Sequence, residues 1–203
     1  MITIVNYGMG NLGSVQNMFK RIGVESNITS DTNEIAAASK ILLPGVGAFD
    51  AAMNRINEGG FREILDRKAL VEKVPILGIC LGMQLLTHSS EEGKEKGLGW
   101  IPAKTLAFKF SEEQKLKIPH MGWNIAQPAK KSLLTENFEA ESRFYFVHSY
   151  YVKVENEQDS LLKTNYGLTF DSGVERGNIF GAQFHPEKSH KFGMRFLESF
   201  AKI

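Results

Sequence analysis

Short apolar runs alternate with helical stripes from the first residue. Ile2 to Asn6 reads as a strand, and Tyr7-Gly8-Met9-Gly10-Asn11-Leu12-Gly13 leads into a helix whose apolar Val15, Met18, Phe19 and Ile22 recur at helical spacing until Gly23 ends it. A strand over Ser26 to Thr29 comes next, then a weak helix after Asp31. A third strand, Ile41-Leu42-Leu43, runs into the glycine loop Pro44-Gly45-Val46-Gly47. Helical patterns cover Asp50 to Asn57 and Phe61 to Glu72. Ile76 to Ile79, opened by Pro75, suits a buried parallel strand, and Leu81 to Leu86 resumes helical spacing. Residues 1–90 therefore alternate strand and helix, the pattern of a doubly wound sheet with helices on both faces.

The second half changes to short extended runs with turn residues, around Thr105 to Lys109, Ile118 to Trp123, Arg143 to Val154, Leu161 to Thr164, Leu168 to Phe170 and Asn178 to Phe184. These read as antiparallel or mixed strands. The charged stretch from Glu91 to Lys96 reads as a solvated loop. Phe192 to Phe200 closes as an amphipathic helix with Phe192, Phe196, Leu197 and Phe200 on one face and Ser189 as its cap. The expected fold is α/β, with a central, mostly parallel mixed sheet flanked by helices and extended by β-hairpins.

Composition narrows the partners. The 203 residues, 42% hydrophobic and 23% charged, fit one domain over 1–203 with a sizeable core. A net charge of +1 with interspersed signs points to neither nucleic acid nor an anionic membrane, and no apolar run is long enough to span one. The N-terminus starts in a strand pattern rather than a secretory signal, and one cysteine makes no internal disulfide, so a cytoplasmic protein is expected. The histidines are too dispersed for zinc spacing. No metal and no cofactor are expected.

That single cysteine carries the chemistry. Gly78-Ile79-Cys80-Leu81-Gly82 places Cys80 between a buried strand and a helix at the spacing of a nucleophile elbow, where the glycines let strand and helix approach closely. Free N–H groups at a helix start favour thiolate and hold an oxyanion, so Cys80 reads as a nucleophile and the Leu81 amide as a donor. A second donor fits the loop Gly45-Val46-Gly47, which leaves the third strand at the same sheet edge. Phe184-His185-Pro186-Glu187 supplies a base. The proline biases His185 toward extended backbone, residues two apart then point the same way, and Glu187 can fix the imidazole tautomer. His148 reads as a core or pocket-wall histidine. His88, His120 and His190 lack so well-placed a carboxylate.

With Pro119-His120-Met121-Gly122-Trp123-Asn124, Phe146-Val147-His148-Ser149-Tyr150-Tyr151 and Gln183 to Ser189, these motifs resemble the class I glutamine amidotransferases over nearly the whole chain. Within them the likeness is strongest to the glutaminase subunit of imidazole glycerol phosphate synthase. The resemblance implies L-glutamine as substrate, a Cys80-His185-Glu187 triad, and Gly47, Gln84, Tyr145, Ser149 and Tyr150 around the substrate. It also implies a synthase (cyclase) partner that takes ammonia, with Asn11, His120, Met121, Trp123 and Lys188 at or near the shared surface. For Met121 and Trp123 the residues alone leave interface and core roles both open. Relatives that serve a cyclase-like partner in surface-sugar amination are similar too. A competing pattern is Gly8-x-Gly10-x-x-Gly13 after the first strand with Asp31 beyond the second, the spacing of a dinucleotide fingerprint. That reading leaves the cysteine, histidine and glutamate set unexplained.

Overall fold

Strands alternate with α-helices in the first half of the chain, and the second half is mostly strands joined by turns and short 3-10 segments. The computed structural model describes residues 1–203. Its strands are β1 (Ile2–Val5), β2 (Ser26–Thr29), β3 (Ile41–Leu43), β4 (Ile76–Ile79), β5 (Ser89–Ser90), β6 (Ala103–Ala107), β7 (His120–Ile125), β8 (Gln127–Pro128), β9 (Arg143–His148), β10 (Tyr150–Val154), β11 (Ser160–Asn165), β12 (Thr169–Arg176) and β13 (Ile179–Ala182). Its α-helices are α1 (Leu12–Arg21), α2 (Thr32–Ala37), α3 (Phe49–Glu58), α4 (Phe61–Asp66), α5 (Leu81–Leu85) and α6 (His190–Lys202). None is long and apolar enough to cross a membrane.

One 11-stranded sheet runs in the order β2-β1-β3-β4-β13-β12-β10-β6-β5, with β11 and β8 joined beside β12. The strands from β2 to β13 in that order are mutually parallel, in register Thr3↔Ile41, Ile41↔Ile76 and Ile76↔Ile179. Beyond β13 the pairing turns antiparallel. Strand alternation sends Ile41, Leu43 and Ile76 to one face and Ile2, Ile4, Leu77 and Ile79 to the other. Helices α2 to α5 cover the first face in a core of 27 buried residues, and α1 and α6 cover the second in a core of 23. The comparable size of the two cores is what a doubly wound sheet requires.

Several expectations change in detail. The helical pattern over Phe61 to Glu72 is α-helical only to Asp66 and continues as a π-helical turn, Arg67–Val71, which buries Lys68 with its ammonium on the Ala36 carbonyl and Glu72. The run from Arg143 to Val154 breaks at Ser149. Its first half pairs with β7 in a separate two-stranded ribbon and its second half joins the main sheet. Ser189 precedes α6 but does not cap it. Its hydroxyl donates to the His185 carbonyl at 2.6 Å and accepts from the Tyr145 amide at 3.0 Å, tying β9 to the segment after β13.

Candidate active site

Parallel neighbours end on the same edge, so the loops leaving β1, β3, β4 and β13 meet there. Cys80 ends β4 at φ +54, ψ −111, a region that non-glycine residues rarely occupy, and its amide donates to the Ala182 carbonyl of β13 at 2.7 Å. The elbow closes only because its flanks are bare. A Cβ on Gly82 would strike the Leu43 carbonyl, and one on Gly78 would lie 2.6 Å from the Gly82 carbonyl oxygen. The Leu81 and Gly82 amides, in the first turn of α5, have no helical carbonyl to bond.

Past β13 the chain reaches His185, whose amide is held by the Tyr145 carbonyl at 2.9 Å. His185 itself is extended, at φ −99 and ψ 98, as expected, but Pro186 then opens a 3-10 turn over Pro186–Lys188 instead of continuing the extended chain, and the turn still brings Glu187 Oε1 to 2.8 Å from His185 Nδ1. Both side chains are buried, at 4% and 3% exposure. Burial pulls the His185 pKa down, but hydrogen bonds to Cys80 and Glu187 outweigh it and raise the pKa well above the ordinary imidazole value. The site therefore favours an imidazolium facing the sulfur.

Opposite them lies the loop after β3. Gly45 packs against Gly82 and Leu81, where a Cβ would sit 2.8 Å from the Gly82 nitrogen. Val46 and Gly47 turn outward, and their amides donate to no protein acceptor. The glycine-rich turn after β1 supports this loop. The Tyr7 hydroxyl donates to the Pro44 carbonyl at 2.6 Å, and Gly10 lies against the Pro44 ring. Arg55 donates to the Gly8 carbonyl at 2.8 Å, and the Asp31 carboxylate accepts from the Asn33 amide at 2.7 Å as the cap of α2. Arg55 thus lies over the glycine turn, and the fingerprint's acid is engaged as a helix cap.

A cavity of about 350 Å³ opens over the sulfur. Its wall takes in Cys80, Leu81, Gln84, Val46, Gly47, Ser149, Tyr150, His185 and Lys188 among the expected residues. Gly45 stands behind it, and Tyr145 points away, its ring 6.4 Å from Trp123 and 5.5 Å from Lys188 Nζ. His148 forms part of the wall. Glu92 does as well, and there the solvated-loop reading of residues 91–96 needs correction. Its carboxylate accepts from the Phe49 amide at 3.0 Å, while Lys94 and Glu95 amides bind Asp50, so α3 pins this segment beside the cavity. Sequence spacing gave no signal for this contact.

The expected partner surface divides by strand alternation. On β7, Met121 and Trp123 are 60% and 44% exposed, so both stand on the surface rather than in the core. His120 points the other way, 2% exposed and stacked on Phe146 and Tyr166, which corrects its placement at a shared surface. Asn11 is exposed at the start of α1, and Trp123 stacks on His190 with centroids 5.5 Å apart.

Comparison with known proteins agrees with this arrangement. The sequence model for "Glutamine amidotransferase class-I" matches residues 3–203. Imidazole glycerol phosphate synthase subunit HisH 2 of Methanococcus maripaludis is 54% identical over 100% of this chain and 99% of its own length. Subunit HisH of Bdellovibrio bacteriovorus is 47% identical over the whole of both chains. A crystal structure of a glutamine amidotransferase superposes with a TM-score of 0.74 at 16% identity, covering 100% of this chain and 99% of that one. PurLQS from Thermotoga maritima gives 0.73 at 18% identity, covering 99% and 97%. These two likenesses concern the fold.

Proposed function

This chain belongs to the class I glutamine amidotransferase family, and from that premise we propose that it is the glutaminase subunit of an imidazole glycerol phosphate synthase. It hydrolyses L-glutamine to L-glutamate and passes ammonia to a cyclase partner in histidine biosynthesis. The observation that carries this reading is full-length identity of 54% and 47% to relatives bearing that subunit's name. Those names support the histidine pathway over surface-sugar amination. We treat residues 1–203 as one amidotransferase domain, and its single free cysteine suits a reducing cytoplasm.

In the proposed reaction the Cys80 thiolate attacks the side-chain carbonyl carbon of glutamine. The oxyanion takes the Leu81 N–H and a second donor from Gly45-Val46-Gly47, whose outward amides have no protein partner to surrender. His185 gives its proton to the departing ammonia and leaves a thioester on Cys80. It then takes a proton from water as that water attacks, and glutamate departs. Glu187 holds the imidazole tautomer throughout. Glu92 offers a carboxylate for the substrate's α-ammonium, and Gln84 Oε1, free of protein donors, offers an acceptor.

Met121, Trp123, Asn11 and Lys188 face outward around this edge and form the proposed partner surface. Releasing ammonia with no acceptor ready would waste glutamine, so turnover by the isolated chain is expected to be slow. The test is glutamate production by the chain alone, with the cyclase subunit, and with the cyclase carrying its acceptor ligand. Turnover should rise at each step by a differential affinity for the active loop state; equal turnover in all three would contradict the proposal.

A further inference from the structure

The hydrogen bonds behind the cavity wall have a direction that is fixed from both ends. On β7, Asn124 accepts from the Ile125 amide through Oδ1 at 2.8 Å and donates through Nδ2 to the Asn165 carbonyl at 2.9 Å. The same Nδ2 meets His120 Nε2 at 3.2 Å, so that ring nitrogen is the bare one. His120 Nδ1 then carries the hydrogen and donates to His148 Nε2 at 2.9 Å. The far end demands the same order. The Tyr150 carbonyl can only accept, so His148 Nδ1, 2.7 Å away, carries a hydrogen and its Nε2 is bare.

Both rings are buried, and burial lowers their pKa values to about 4 for His120 and about 3 for His148, so both are neutral near pH 7. The Tyr150 carbonyl accepts a second hydrogen bond, from Gln84 Nε2 at 3.2 Å. Gln84 Nε2 also donates to Gln183 Oε1 at 3.1 Å, which turns Gln183 Nε2 toward Cys80 Sγ at 3.7 Å. Gln183 is fully buried, and its amide has no other role in the reaction described above.

We propose that the His120–His148 pair is a positioning device for the nucleophile: by fixing the Tyr150 carbonyl it orders the Gln84 and Gln183 amides, and Gln183 delivers a hydrogen bond to the Cys80 sulfur. That Cys80 acts on glutamine rests on the function proposed above, whereas the delivery of the hydrogen bond does not. The relay begins on the inward face of the strand whose outward face carries Met121 and Trp123. A partner that shifts β7 therefore acts on the sulfur through His120 and His148 as well as through the oxyanion loop.

An asparagine amide occupies the δ position of an imidazole and a glutamine amide the ε position, which separates the roles. His120→Asn keeps a donor toward His148, and His148→Asn keeps one toward the Tyr150 carbonyl; His120→Gln and His148→Gln keep neither. Cys80 alkylation by iodoacetamide at fixed pH reads the sulfur without requiring glutamine turnover, and glutaminase kcat and KM are measured beside it. The asparagine variants should keep the alkylation rate within about threefold, and the glutamine variants should lose roughly tenfold, with the glutaminase loss falling on kcat. Gln183→Leu, at the far end of the relay, should lose as much. A merely structural pair would lower thermal stability in all four histidine variants without separating asparagine from glutamine. That outcome, or an unchanged alkylation rate in Gln183→Leu, would overturn the proposal; failure of glutamine hydrolysis with the alkylation pattern intact would overturn only the assigned reaction.

Discussion

Glu187 Oε1 lies 2.8 Å from His185 Nδ1, and its other carboxylate oxygen, also buried, accepts from no other protein group. A buried carboxylate committed to one nitrogen makes the imidazole present its other nitrogen to the sulfur. His185→Ala is expected to lower kcat for glutamine hydrolysis by on the order of 10⁵-fold, and Glu187→Gln by roughly one to two orders less. Steady-state kinetics on both variants test the order. Equal losses would contradict the roles.

Acid should destabilise the fold through the two neutral histidines. Burial depresses the folded pKa values of His120 and His148 to about 4 and about 3, below the ordinary 6.5, so below about pH 6.5 the unfolded chain binds protons that the folded chain refuses. Stability is full above pH 6.5 and falls as pH drops toward 4, by up to about 1.4 kcal/mol per pH unit for each ring. Urea midpoints between pH 7 and pH 4 should therefore fall less steeply in His148→Asn than in the parent. Parallel curves would show that this ring is not the cause.

Glu92 should act in binding more than in chemistry. Glu92→Gln keeps an acceptor for the Phe49 amide but removes the negative charge from the cavity wall. KM for glutamine is expected to rise roughly tenfold or more with kcat little changed, the signature of lost uniform binding. An unchanged KM would take Glu92 out of the substrate site.

The glycines of the elbow and of the apparent fingerprint should respond oppositely. A Cβ on Gly82 runs into the Leu43 carbonyl, so Gly82→Ala should cost about 1–3 kcal/mol and most of the activity. A Cβ on Gly13, inside α1, meets nothing within 4 Å, so Gly13→Ala should be neutral or stabilising by up to about 1 kcal/mol. Thermal melts of the two variants check this, and a functional loss in Gly13→Ala would reopen a nucleotide role for that loop.

The meeting of Cys80, His185 and Glu187 at one sheet edge was legible in the sequence because its signals are local. Gly78, Cys80 and Gly82 mark a turn of no length, and His185-Pro186-Glu187 carries the paired imidazole and carboxylate within one short segment. The β-strands of the first half were legible for the same reason. Features that depend on pairing at a distance were not. On β7 the apolar Met121, Trp123 and Ile125 alternate with His120 and Asn124, but the apolar face is the exposed one and His120 is buried, so reading apolar residues as inward inverts the strand. Ser189 has a cap's position, but the Tyr145 amide and His185 carbonyl claim its hydroxyl. Glu92 sits in a stretch that is charged like any solvated loop and is recruited only because α3 presents the Phe49 and Asp50 amide and carboxylate contacts to it.

In the proposed reaction the side-chain carbonyl carbon of glutamine forms a thioester with Cys80 as its bond to nitrogen breaks and ammonia leaves. Acid quenching during turnover with glutamine, followed by mass spectrometry of the peptide containing Cys80, measures it directly. A glutamyl adduct on that peptide, removed by hydroxylamine and missing in Cys80→Ser along with glutamate production, is the predicted result. Glutamate formation in Cys80→Ser at the parent rate would contradict the account.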